Sequence, residues 1–505
     1  MTQAPHRPWV ALLVGLGLAV LLLSGCLQSG ETPESPSTGA PGRWASSESS
    51  SPILLHTLGD PKTSGLEGWA SQFDNTPATY DLDGDGVDEV IAHGADTQVY
   101  VFNAETGRVL ATLPTKYPPA WHIERVLNGV VVGVLSPGQP PSLVVTDHAA
   151  YVAVWRFDPD QSRPDRFVFH KEWEKRMDMC HRSPGMDAAA ALADLNGDGA
   201  LEIVVQTEEM GFYALNADGS TRWSECWSGG NSAPVVDDLD GDGRPEVIVA
   251  SDAGFISVLD GDKGLPLWTF DAADPLYGIS PGSVPVSPTV ADLDGQLPKE
   301  ILFTSREAPD DEGLSFTSFH MAIFAIHQNP DTWQGELLWM RQPEWANPMS
   351  NTRLVVRDVD GDGAVDIFGM DWNTVGHYPG NWERLGPAHA FRLNERGEDV
   401  WVREIDAWWS NQDIVVADSN ADQEPDVLVN GPGEGGDGVW RLSAATGAAE
   451  GFLGLSEWKM LRGPLLADLR HDGSLQVLFP VSPMEGSSAR GAILVFQLAG
   501  GASRT

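Results

Sequence analysis

Cysteine is scarce, with three residues in a chain of 505, so neither a disulfide-dense scaffold nor a redox CxxC centre is available. Basic residues are also few. Lys and Arg total 31 against 72 Asp and Glu, a net charge of −41, which repels phosphate backbones and excludes nucleic-acid binding. No long amphipathic helix pattern occurs, and there is no phosphate loop or dinucleotide fingerprint. What remains is 54 Gly, 36 Pro and 19 Trp, set around short apolar runs bounded by turn residues. That pattern describes a β-rich, loop-rich globular chain.

The one longer apolar run, Trp9 to Leu23, follows Arg7 and ends in Leu23-Ser24-Gly25-Cys26. It is short for a membrane span and closes on small residues, as an export signal does. The ending resembles a bacterial lipobox. That resemblance implies a signal peptide over residues 1–25, cleavage before Cys26 and acylation of that cysteine, which would anchor the chain in a membrane. Leu27 at the next position suggests, by the same resemblance, the outer membrane or cell surface. Residues 26–50 are rich in Ser, Pro, Gly, Thr and Glu and read as a disordered tether.

Beyond the tether one pattern recurs. DLDGDGVDEVI from Asp81 has counterparts from Asp194, Asp238, Asp358 and Asp418, weaker copies from Asp292 and Asp468, and a unit from Val134 that has lost its acids. The starts recur about every 55 residues, the size of a propeller blade. An apolar stretch precedes each motif, and two further strand patterns with a turn between them follow it. One unit is thus a four-stranded antiparallel blade, which cannot hide both faces until several pack radially. Residues 51–502 are expected to form an all-β, eight-bladed β-propeller, with seven blades the alternative. The segment Ser51 to Leu58 is free to complete the last blade.

Oxygens from positions 1, 3 and 5, a carbonyl at 7 and a carboxylate at 9 can wrap a calcium ion if glycine at 6 permits a sharp turn. The first copy supplies Asp81, Asp83, Asp85, the Val87 carbonyl and Glu89. The units resemble FG-GAP or VCBS repeats, the blades of the integrin α-subunit propeller and of many bacterial surface proteins. This resemblance implies about five structural calcium sites. Besides the first, they are Asp194, Asn196, Asp198, Ala200 and Glu202; Asp238, Asp240, Asp242, Arg244 and Glu246; Asp358, Asp360, Asp362, Ala364 and Asp366; and Asp418, Asn420, Asp422, Glu424 and Asp426. With Gln296 and Leu297 in the loop, the Asp292 copy should bind weakly. With Arg470 and Gln476, the Asp468 copy should be empty.

On the opposite face, the loop entering each unit carries Trp69, Trp121, Trp227, Tyr277, Trp345, Trp409 or Trp458. The remaining unit has Cys180, and Cys226 lies in the matching loop of the next blade, so these two are expected to form a disulfide. The long turns from Arg306 and Asp371 open on this same face, the latter with Trp372, His377, Tyr378 and Trp382. Such a ring either wedges the blades apart or binds a protein or glycan. The string Gly278–Gly282 lacks the strand-to-helix elbow of a hydrolase, and His122, His181 and His377 have no zinc-triad spacing. No catalytic residue is assigned. The expectation is a calcium-stabilised ligand-binding or scaffold module at the cell envelope. A polysaccharide lyase of the rhamnogalacturonan-lyase type, also an eight-bladed propeller, and an outer-membrane assembly lipoprotein are the alternatives.

Overall fold

The computed structural model describes residues 52–498 except 67–72, 74–75, 117–128, 178–179, 181–184, 187, 208–210, 228, 231, 252, 273–281, 285, 308–320, 347–351, 372–373, 378–380, 385, 406–413, 421, 434–435, 456–457, 461–462 and 484–490. The expected lipidation site, Cys26, and its flanking signal and tether lie outside them. No helix among the described residues is long and apolar enough to cross a membrane.

The strands form eight antiparallel blades, each with a four-stranded core, and the seven-bladed alternative is excluded. Blades 1 to 7 span residues 78–114, 130–176, 191–225, 235–271, 289–341, 355–405 and 415–454. Blade 8 takes three strands from residues 465–497 and its outer strand from the beginning of the described chain. Ile53–Leu58 pairs there with residues 493–497, Ile53 opposite Gln497 and Leu58 opposite Ile493. The expected closure is therefore present.

In each blade the first strand is short, three residues in seven of them and four in blade 2, and first strands of neighbouring blades touch, which makes them the inner wall. Because successive strands run in opposite directions, two kinds of turn share one face: those joining first to second strand and those joining third to fourth. Turns joining second to third strand, and the crossings to the next blade, share the other face. We call these the acidic-loop face and the entry face.

The second and third strands carry the apolar load; Glu246–Ala250 is buried throughout. Their side chains point alternately into the two seams flanking a blade, so each of the eight core clusters joins adjacent blades. Ile248 and Phe270 of blade 4, for example, pack with Phe303 and Phe324 of blade 5. The ring closes where Leu58, Leu478 and Val495 meet Val90, Tyr100 and Phe102.

A tryptophan near the middle of the outer strand repeats round five seams. The indole N–H of Trp173 donates to the Ala217 carbonyl, Trp223 to Gly261, Trp268 to the Gln328 side chain, Trp339 to Glu395 and Trp401 to Ala444, over 2.7–3.2 Å. Each ring also covers a glycine in the next blade's outer turn: Gly219, Gly264, Gly335, Gly397 and Gly447. A Cβ at any of them would come within 3 Å of the ring. At the closing seam Leu58 and Thr63 cover Gly107 instead.

Candidate functional site: the acidic-loop face

Each acidic loop is a turn made by side chains bonding to their own backbone. In blade 1 the Asp81 carboxylate accepts from the N–H groups of Gly84 and Asp85 through Oδ1 and from Gly86 through Oδ2, at 2.8–3.1 Å. Asp83 accepts from Asp85, and Asp85 accepts from Val87. Gly84 and Gly86 adopt φ of 79° and 89°, left-handed values that favour glycine. At the second of these positions in blade 7 stands Gln423, and it takes φ 74°. The position-7 residues Ala200, Arg244, Ala364 and Glu424 donate to Asp198, Asp242, Asp362 and Asp422 as Val87 does to Asp85.

The position-9 side chain closes the loop by accepting the N–H of position 2. Glu89 takes that of Leu82 at 2.9 Å, Glu202 that of Leu195, Glu246 that of Leu239, Glu300 that of Leu293, Asp366 that of Val359 and Asp426 that of Ser419. In blade 8 Gln476 makes the same bond to Leu469 at 2.8 Å. All seven side chains are buried. Burial pushes the carboxyl of Glu89 up to about 8, that of Glu246 up to about 7 and that of Asp426 up to about 6.

The loops then divide by what faces these carboxylates. Three ligand atoms lie within 4.8 Å of one another in Asp81/Asp83/Asp85, Asp238/Asp240/Glu246, Asp292/Asp294/Glu300 and Asp358/Asp360/Asp366. The third set belongs to the copy expected to be weak. In the fourth, the buried Arg392 guanidinium bonds Asp366 at 2.7 Å and Asp360 at 2.6 Å, so this loop already holds a cation of its own. Glu202 faces Arg222 at 3.7 Å and Asp426 faces Arg441 at 4.0 Å. Asn196 bonds Glu202, and Asn420 bonds Asp422. The arginine partners escaped the sequence reading because they stand on third or outer strands, outside the motif.

On the entry face Cys180 and Cys226 form a disulfide between consecutive crossings, their Cα atoms 5.6 Å apart. Trp227, Trp345 and Trp458 are half-buried in blade seams. Trp227 packs on Phe212 with ring centres 5.6 Å apart, and Trp345 on Phe391 at 5.0 Å. These three pack into the seams, as the wedge alternative expects. Trp69, Trp121, Tyr277, Trp372, Tyr378 and Trp409 lie outside the described residues, as do His122, His181 and most of the Gly278–Gly282 string. His377 and Trp382 sit on a paired hairpin, Thr374–His377 with Asn381–Arg384, inserted in blade 6. At its base the buried Asp371 holds His389 Nδ1 at 2.8 Å.

The acidic-loop face also carries a cavity of about 630 Å³ at blades 3, 4 and 5, lined in part by Asn196, Asp242, Lys263, Gln328 and Trp333.

No family model matches the chain, and no curated protein matches it in sequence. Among solved structures it is similar to quinohemoprotein alcohol dehydrogenase from Comamonas testosteroni, at 12% identity over 89% of this chain and 77% of that one, TM-score 0.53. It is also similar to Sqt1 from Saccharomyces cerevisiae, at 12% identity over 85% of this chain and all of that one, TM-score 0.50. BamB from Moraxella catarrhalis aligns at 14% identity over 88% of this chain and 100% of that one, TM-score 0.49. At such identities the likeness is one of fold: the chain is an eight-bladed β-propeller.

Proposed function

We propose that this protein is an exported, lipid-anchored β-propeller whose acidic loops are tied by calcium, and that it serves as a binding or scaffold module at the bacterial cell envelope for a protein or glycan ligand. One observation carries the calcium reading. Gln476 shows that the closing bond to position 2 needs only an oxygen acceptor, yet blades 1, 4 and 5 keep a buried glutamate there with no arginine bonded to it among the described residues. An uncompensated buried carboxylate is costly, and a divalent cation offsets that cost.

The donor sets in those blades fit a hard cation. Asp81, Asp83, Asp85 and Glu89 would hold it in blade 1, Asp238, Asp240, Asp242 and Glu246 in blade 4, and Asp292, Asp294 and Glu300 in blade 5. Bound there, calcium supplies the positive charge that lets neighbouring carboxylates stay ionised together. In blade 6 Arg392 provides part of that charge, so this loop should bind more weakly than the loop at Asp81.

Melting in calcium and in excess chelator tests the reading. Each site contributes about 2.7 kcal/mol at one hundred times its Kd, so three sites should raise the melting temperature by more than about 5 °C. Glu89→Gln, which keeps the bond to Leu82, should remove one calcium from the titrated stoichiometry and leave the fold intact. An unchanged melt in chelator sinks the proposal. For the anchor, Cys26→Ser should move the protein from the membrane to the soluble fraction.

A further inference from the structure

We propose that the acidic-loop face holds a second binding site, the cavity at blades 3, 4 and 5, and that its ligand is a neutral pyranose glycan seated on Trp333. In the outer turns of blades 1, 4 and 7 a glycine donates its N–H to the carbonyl four residues back: Gly107 to Asn103, Gly264 to Asp260 and Gly447 to Ser443. Their φ values are 70°, 70° and 68°. Blade 5 makes the same bond, from the N–H of residue 333 to the Asn329 carbonyl at 2.8 Å, but the residue is tryptophan, held at φ 59°.

A bulky side chain in the left-handed region carries a steric penalty that glycine avoids. Burial does not repay it, because Trp333 is 62% exposed. Strain kept without a packing return points to a use for the side chain itself.

Its surroundings agree. Of the eight exposed large apolar residues among those described, five lie in blades 4 and 5: Leu265, Leu267, Leu297, Trp333 and Leu338. Leu267 and Trp333 line the cavity, whose volume falls within the range of small-ligand pockets.

The polar lining selects the class of ligand. Asp262 is held by Arg222, and Asp260 by Lys263 at 2.9 Å. These acids are thus already paired, and a cationic peptide would have to displace their partners. Asp240, Asp242 and Glu246 complete the acidic side of the lining; without a bound cation they repel a uronate, and with calcium on them the lining still holds no excess of positive charge to attract one. Fixed carboxylates and an ammonium instead match hydroxyl groups, which both donate and accept. The exposed indole and Leu267 offer the apolar platform that a pyranose ring face stacks on.

Trp333→Gly supplies the test, because it restores the residue that three other blades use and should melt no lower than the parent. Neutral gluco-, galacto-, manno- and xylo-oligosaccharides are titrated calorimetrically into the full-length protein and this variant, in calcium and in excess EGTA, with oligogalacturonate and oligolysine as comparison ligands. The expected result is millimolar or tighter binding of at least one neutral oligosaccharide, weakened tenfold or more in Trp333→Gly, with no loss of melting temperature. The proposal is overturned if no neutral oligosaccharide binds, if the variant binds equally well, or if oligolysine or oligogalacturonate is the only ligand. A melt insensitive to calcium together with glycan binding that persists in EGTA would sink the calcium reading and leave this one standing.

Discussion

His93, on the second strand of blade 1, is wholly buried, with Nε2 3.3 Å from Thr115 Oγ1. Burial pushes its ring down to about 4. The unfolded chain takes up this proton near pH 6.5, whereas the folded one refuses it until about 4. The resulting stability is therefore present above 6.5 and is lost as pH falls through that window. Linkage puts the loss at about 2 kcal/mol between pH 7.5 and 5. Glu89, Glu246 and Asp426 take up protons on folding over the same range and act with the opposite sign, so His93→Gln isolates the histidine. In urea unfolding, the change in stability from pH 7.5 to 5 should be about 2 kcal/mol less favourable in the parent than in the variant. The acidic positions were more legible than this histidine. Spacing alone identified Asp81, Asp83, Asp85 and Glu89, because a side chain that bonds N–H groups within seven residues of itself leaves its geometry in the local sequence. His93 belongs to no such pattern, and its burial follows from the packing of blade 1 against its neighbours.

At the scale of the strand, the outer tryptophans explain how blades with few inner-strand contacts stay in register. A glycine four residues before the tryptophan marks four of them: Gly219 and Trp223, Gly264 and Trp268, Gly335 and Trp339, Gly397 and Trp401. The glycine receives the preceding blade's indole, and the tryptophan reaches the next blade. The pairs stand openly in the sequence. Their meaning does not, because each partner is a backbone carbonyl or amide in the following blade. Trp223 is 7% exposed, so Trp223→Ala should destabilise by about 3–5 kcal/mol. The denaturant midpoint checks this, and calcium stoichiometry should be unchanged because the outer strand supplies no loop carboxylate. Arg392 was hidden for a related reason: it stands 26 residues beyond Asp366, the carboxylate it bonds.

For the whole molecule, blade number was legible because the acidic turn repeats even where its acids are lost; Leu135 still receives the N–H of Leu201 from the next loop. The entry face was less so, since an aromatic in a crossing reads alike whether it wedges a seam or meets a ligand. Trp227 and Trp345 pack on Phe212 and Phe391 in their seams. The disulfide ties two such crossings, a sequence separation of 46. Replacing both cysteines by serine should cost about 2–4 kcal/mol, seen as an earlier midpoint in non-reducing denaturation and no difference in reductant.

The closing seam also sets an order of events. Ile53–Leu58 precedes every other described strand in the sequence, yet the strand it pairs with, Ala492–Gln497, follows all the rest. Until then the growing molecule is an open crescent. One end presents the unpaired edge of the newest blade, and the first strand waits alone for a partner at the far end of the chain. The blades can assemble one by one, but the ring becomes a ring in a single late step, and the first and last blades gain their second neighbour at that moment. An interruption shortly before residue 492 would leave a nearly complete propeller with both of its edges open to other chains.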